Sequence, residues 1–551
     1  MPTARRDISG LRERWSVPPS AGDGSSPARP APAGRRLPLG RLRRRRERPF
    51  RAPEERLDRL VLRWGLFFAF FFGGYAGTSG QFLPTQLLVA APFGVLYVIL
   101  TIRWPAVATG IFMLALPYVP YVAQVSEFKV IGPLVMASFL IPALFLHGMS
   151  RRRMPITPIG PAIPLAFATL LGWGILSTAF GGDVVATGAR MLYLSVFGLL
   201  ATSLVYALRR RVIRVEDVGL TLVVGAALGA CGVLFQFLMQ FFRGEGYTIN
   251  WVNDRLDLFA AASRIANLKS GDFDLIRGIF PFMAVPSAGQ YLMVAFLLGV
   301  AMLILRMRVS RTLVIGCLVV IVAALVVTFS RQSWVGLAIG LIAFAGLRTL
   351  PWLTFAALMG VGGLALLRKG DQSFLTYVLS AADTSTESTG ERVQLMSRAA
   401  AQVPDHVFLG TGRFSDRFDE LSGHITSAHN VYLQVALESG LFAAIALAIL
   451  LLTLIGTALR RRLMGIAAPV VAIATAALFD DTMYLPRNGM QMAIVIAIVV
   501  FCVTIDDRRV FQDPAPEDAE PLVAGWPRLP EPDDLPPPRA RPATPWIPVE
   551  R

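Results

Sequence analysis

Apolar runs recur along this 551-residue chain at about 17 to 25 residues each, the length of a helix that crosses the hydrocarbon core of a bilayer. Lipid offers no hydrogen bonds to a backbone, so such runs are expected to be helices that satisfy their own N–H and C=O groups. The spans are expected near 60–77, 82–102, 104–121, 129–147, 161–180, 189–208, 216–242 and 283–305, then at 312–329, 332–347, 350–367, 431–459, 463–483 and 488–505. Composition agrees: 54% of the residues are hydrophobic, 16% are charged, and the mean hydropathy is +0.55. The fold class is therefore an all-α integral membrane protein of about fourteen transmembrane helices.

The net charge of +16 would suit a nucleic-acid partner, but the arginines lie in short clusters between the apolar runs. Those clusters fall at Arg103, 151–153, 209–214, 306–311, Arg348, 460–462 and 508–509, all on one side of the membrane if every span is real. Arginine-rich flanks mark the inner side. Both tails are thus expected in the cytoplasm, and the polar loops 243–282 and 368–430 outside. The first tail, 1–59, carries the basic run 41–46 and no apolar core. It reads as disordered and drawn to anionic lipid heads rather than to nucleic acid. The Pro-rich tail 506–551 reads as disordered too, which leaves 60–505 as the membrane domain. Cys231, Cys317 and Cys502 all lie in apolar runs with no metal-ligand spacing, so neither a disulfide nor a metal is expected.

From Thr312 to Leu347 only Ser330-Arg331-Gln332-Ser333 interrupts the apolar residues. One helix there would be about 54 Å long, far more than a bilayer accommodates. Two crossings are expected, with Arg331 at the outer turn. The spans carry no carboxylate near their midplanes and no internal repeat, features that a proton-driven transporter usually shows. The polar chemistry is concentrated in the outer loops.

In the second loop, 388–391 (Ser-Thr-Gly-Glu) reads as a capping box ahead of a helix from Arg392 to Val403, ended by Pro404. Arg392, Met396, Ala399 and Val403 would share one face of it. Gly410-Thr411-Gly412 then turns the chain toward Ser427-Ala428-His429-Asn430, where an apolar helix begins. A histidine at a helix N-terminus is kept neutral by the helix dipole. It serves either as an interfacial cap or as a proton acceptor, and the exposed N–H groups beside it suit a phosphate. His406 and His424 stand in the same loop and could take the same part.

Several pieces in this order resemble the O-antigen ligase and polymerase superfamily of bacterial membrane glycosyltransferases. They are 277–286 (Arg-Gly-Ile-Phe-Pro-Phe-Met-Ala-Val-Pro), then Thr328-Phe329-Ser330-Arg331, then Glu391-Arg392 with Pro404, Gly410 and Gly412. The last is His429-Asn430-Val431-Tyr432-Leu433 followed by Glu438 and Gly440. The match covers roughly 275–455. It implies a GT-C-like fold and a cofactor-independent, metal-independent transfer at the outer face of the cytoplasmic membrane. A glycan would pass from a polyprenyl (undecaprenyl) diphosphate carrier to the hydroxyl of a saccharide or other acceptor, in polysaccharide biosynthesis. The resemblance gives Arg331 and Arg392, with Arg277, to the diphosphate and His429 to the acceptor hydroxyl; Asn430, Glu391, Glu438, Gly410 and Gly412 would support them. Guanidinium forks suit a departing diphosphate without a metal. Two departures stand out: Ser287 follows Pro286 where many relatives carry Asn, and ligases often have about twelve spans.

Two other readings remain. Asp272 and Asp274 in the first loop could hold a divalent metal on a sugar donor, or form a solvated acidic patch. A flippase or exporter of lipid-linked saccharides would need a charged central cavity.

Overall fold

The computed structural model describes residues 94–118, 121–125, 128–149, 162–180, 184–244, 248, 269–270, 273–282, 284–345, 351, 368–369, 372–373, 387–411, 428–480 and 486–504. Both tails, the expected spans 60–77 and most of 350–367, and Asp272, Gly412 and His424 lie outside these residues. The side chains of Asp274 and Glu391 do as well.

The described helices are α1 (Gly94–Arg103), α2 (Pro105–Ala115), α3 (Gly132–Met149), α4 (Ala162–Phe180), α5 (Val184–Arg209), α6 (Val215–Arg243) and α7 (Val285–Ile304). They continue as α8 (Arg311–Val327), α9 (Arg331–Ala345), α10 (Glu387–Gln402), α11 (Val431–Ser439), α12 (Leu441–Arg460), α13 (Met464–Ala476) and α14 (Pro486–Thr504). Three short antiparallel pairs, 121–125 with 128–131, 269–270 with 273–276 and 368–369 with 372–373, sit in the connections. Among the described residues six helices are long and apolar enough to cross a membrane, and six further apolar helices are shorter. The protein is helical and passes through the membrane several times. The count of about fourteen spans is not reached by these residues.

Most boundaries fall near the expected ones. The break at Ser330 divides α8 from α9, as the length argument requires. Two expectations need correction. The expected span 431–459 is two helices, because Gly440 has φ +86° and ends α11. The loop helix starts at Glu387 rather than Arg392, so 388–391 lies in its first turn instead of ahead of it. A 3₁₀ turn, 403–406, with Pro404 near its start, closes that helix.

Three tight turns between consecutive helices share one geometry. Arg211, Arg306 and Arg462 have φ of 55°, 52° and 57°. Each donates its backbone N–H back to a carbonyl three residues earlier (Leu208, Leu303, Leu459), and the following residue donates five back, to Ala207, Met302 and Ala458. This is the Schellman closure of a helix C-terminus, which glycine usually occupies. Arginine there accepts a left-handed backbone, and its cation lies beside the negative end of the helix dipole.

α7 stands at the centre and packs against α6, α8, α9, α13 and α14. Small residues let the backbones approach, as is common between helices in lipid. A Cβ on Gly336 of α9 would lie 2.6 Å from Met293 Sδ and 3.0 Å from Ala472 O; one on Gly289 of α7 would lie 2.5 Å from Ser333 Oγ. The start of α7 is tied to the start of α14, and the end of α4 to the end of α11, through the bonds described below. One end of the bundle therefore carries the connections 277–282, 328–330, 406–411, 428–430 and 478–480. The three arginine turns close the opposite ends of α5, α7 and α12.

Candidate functional site

Arg277 leads into a loop held by Gln236 of α6. The Gln236 Oε1 accepts from the N–H groups of Ile279 and Phe280, each at 2.7 Å, and its Nε2 donates to Arg277 O at 3.0 Å. One buried amide thus satisfies three backbone groups of a segment that has no helix of its own. Gly278 N donates to Val327 O at 3.1 Å, which seats the Arg277 loop against the last turn of α8. The Phe280–Pro281 peptide is cis.

Arg331, half-buried, is the first residue of α9. The turn before it has neither Gly nor Pro, and Phe329 takes the left-handed conformation instead, at φ 53°. Burial holds it there: Phe329 packs edge-on against Phe237, 6.0 Å between centroids. The Leu325 carbonyl accepts from Thr328 Oγ1 at 2.7 Å and from Trp334 Nε1 at 3.2 Å. Ser330 and Ser333 share a hydrogen bond of 2.8 Å directly after the turn. Arg277 and Arg331 are thereby carried on two segments that touch.

His429 lies just before the cap of α11, with φ 49°, and is half-buried. Asn430 is the N-cap. Its Oδ1 accepts from Leu433 N at 3.0 Å and its Nδ2 donates to Leu478 O at 2.9 Å. Val431 N donates to Ala477 O at 2.8 Å, and Tyr432 Oη to Ala474 O at 3.1 Å. The first turn of α11 is therefore fastened to the end of α13. On the other flank Gln434 Oε1 accepts from Ala428 N at 2.9 Å while Gln434 Nε2 donates to Glu438 Oε1. Glu438, 3% exposed, thus holds a glutamine that in turn holds the backbone beside the histidine.

α10 packs on this element through Ala399, which meets Ala428 and Leu437 with Val403 alongside. Ala399 and Val403 do share a face, and Arg392 stands half-buried two turns from Ala399, about 10 Å along the axis. The glycines of this region explain the break after α11. Gly410, at φ +69°, presses on Leu437 O and the Glu438 backbone, and Gly440 presses on Phe408 O. Thr411 N donates to Leu437 O at 2.7 Å and Leu441 N to Val407 O at 2.8 Å. α4 closes the site from the side: Trp173 Nε1 donates to Phe408 O at 2.6 Å and Ser177 Oγ to Glu438 O at 2.5 Å. Asn430, Glu438 and Gly410 thus gather around the His429 segment; His406 stands in the 3₁₀ turn, its carbonyl accepting from Gly410 N at 3.0 Å.

Sequence reasoning missed a buried polar stripe on α14. Arg487, 7% exposed, donates from Nη1 to Pro281 O at 2.6 Å, in the loop that follows Arg277. Asn488 Nδ2 donates to Ser287 O at 3.1 Å, Ser287 Oγ donates to Asn488 Oδ1, and Gln491 Nε2 donates to Tyr291 O at 2.7 Å. The signal was present: three polar residues at i, i+1 and i+4 mark one face of an otherwise apolar helix. Ser287, the departure from the family pattern, is therefore paired with an asparagine brought from another helix.

Residues 316–448 match the family model described as O-antigen ligase. The match bears out the resemblance seen in the motifs over the segment that runs from α8 into α12. It includes Arg331, Arg392, Glu391, Gly410, Gly412, His429, Asn430 and Glu438, whereas Arg277 and Arg487 lie outside it. No curated protein is similar enough to the chain to count as a match.

Proposed function

We propose that this membrane protein transfers a glycan from a polyprenyl-diphosphate carrier to an acceptor hydroxyl, in the assembly of a cell-surface polysaccharide. An O-antigen ligase domain on a multi-pass helical protein supports a glycan-transferring role. The observation that carries the finer reading is the gathering of polar segments at one end of the bundle. The Arg277 loop is bonded to the end of α8 next to Arg331, and α10 with Arg392 packs on the Ala428 that precedes His429.

In this reading Arg277, Arg331 and Arg392 receive the diphosphate, and His429 takes the proton from the acceptor hydroxyl. A departing diphosphate gains negative charge, which guanidinium groups fixed beforehand stabilise. A positioned base contributes a rate factor on the order of 10² to 10⁴. The Asn430 cap and the Gln434–Glu438 pair would hold His429 in place, so that little reorganisation accompanies the transfer. The reading takes the membrane domain as 60–505 with 275–455 as its reactive core, the loop 368–430 outside and both tails inside. The basic turns gathered at the opposite end support that orientation.

Deleting the gene tests this against export. A transferase mutant should accumulate untransferred lipid-linked glycan on the outer leaflet; accumulation on the inner leaflet would support a flippase and overturn the proposal.

A further inference from the structure

An apolar groove runs between α4, α5, α12 and α14. Its volume is about 360 Å³, within the range of ligand pockets. Phe167 and Phe197 form part of its wall, and Val431 and Val435 of α11 close the end nearest His429. Along α5 it extends from Leu194 to Arg209, about 22 Å at the rise of an α-helix. Leu165 and Leu199, beside it on the same helices, are 66% and 51% exposed, as expected of a surface that meets lipid.

The far end departs from this apolar lining. Arg209 lines the groove, and its Nε and Nη2 are buried with no hydrogen-bond partner among the described residues. Arg210, the next residue, has its guanidinium 5.1 Å from the ring centroid of Tyr206, a contact that engages its charge. Arg209 as a whole is half-buried, and its two enclosed nitrogens at the mouth of an apolar channel cost stability until an acceptor reaches them.

We propose that the groove holds an acyl chain of an anionic phospholipid whose phosphate is bound by Arg209. The lipid enters from the end of the bundle that carries the arginine turns. Charge decides between this occupant and the isoprenoid chain of a donor. A donor held by its diphosphate near His429 would bring its apolar tail end against Arg209, leaving the guanidinium unsatisfied. A phospholipid entering from the other end satisfies both the cation and the apolar walls. The inference stands apart from the transfer reaction, since it uses none of the residues assigned to it.

The test uses the full chain, delipidated in detergent and titrated with phosphatidylglycerol or phosphatidylcholine, with bound lipid counted by native mass spectrometry. One phosphatidylglycerol should bind in preference to phosphatidylcholine. Arg209→Gln should weaken it about tenfold, the loss of one charge-assisted hydrogen bond. Arg210→Gln should leave it within about twofold, because that guanidinium is engaged by Tyr206. Ala201→Trp, which fills the groove, should reduce both lipids while helical content stays that of the wild type. Equal binding of the two lipids, equal effects of the two arginine variants, or full retention by Ala201→Trp would overturn the proposal. Displacement of phosphatidylglycerol by a polyprenyl phosphate would overturn it too and make the groove a donor site.

Discussion

Asn430 reaches in two directions at once: its Oδ1 caps Leu433 N of its own helix, and its Nδ2 holds Leu478 O at the end of α13. The residue next to the proposed base is therefore a joint between two helices as well as a cap. Replacement by Asp keeps the cap and removes the tie, whereas Ala removes both. A lost cap costs about 0.5 to 2 kcal/mol. Thermal unfolding in detergent should therefore rank wild type above Asp and Asp above Ala. An Ala variant as stable as the wild type would contradict this role.

Gln236 satisfies three backbone groups of the Arg277 loop. Gln236→Leu preserves bulk but strands them, at about 1 to 3 kcal/mol for each buried group left unpaired. The expected outcome is a protein that still inserts, has a lower melting temperature and shows faster proteolysis at 277–282. Gln236→Glu should be milder, since it retains the acceptor for both N–H groups.

Gly440→Ala should be more damaging than an ordinary glycine replacement. The position combines φ +86° with a backbone contact to Phe408 O that leaves no room for a methyl. At ψ 163° this is an extended positive-φ backbone open essentially to glycine alone, so a penalty of about 1 to 3 kcal/mol and the steric displacement both act against it. Expression and melting temperature should both fall, whereas Gly316→Ala, with open space around it, should be close to neutral.

The arginine mechanism predicts that charge alone is insufficient. Arg331→Lys and Arg392→Lys should each lose most glycan transfer, because an ammonium lacks the planar two-donor fork that grips a diphosphate. Arg487→Lys should act differently, loosening the Pro281 contact and lowering stability along with activity. Adding a chelator should change little; loss of transfer in chelator would point to Asp272 and Asp274.

His429→Ala should abolish transfer, by a factor on the order of 10² to 10⁴, while the protein remains in the membrane and still binds the lipid-linked donor. His406→Ala and His424→Ala should be milder. Normal transfer by all three variants would rule out a histidine base.

The class of fold was legible in the chain because a bilayer constrains sequence so strongly. Apolar length marks a crossing, and arginines mark its ends. The 312–347 run had to break at Ser330 for reasons of length alone. The ordered motifs likewise pointed to the family that 316–448 matches. Gly440 was quoted among those motifs, yet its apolar neighbours made 431–459 read as one span. The break is imposed by Phe408 and Leu437 against two glycines with positive φ, contacts that join residues far apart in the chain. The same holds for Arg487, Asn488 and Ser287, which are separated by 200 residues and meet only because α14 packs on α7. Periodicity reports which face of a helix is apolar. Which polar group across the bundle answers a given backbone carbonyl depends on the packing of helices that the linear order does not specify.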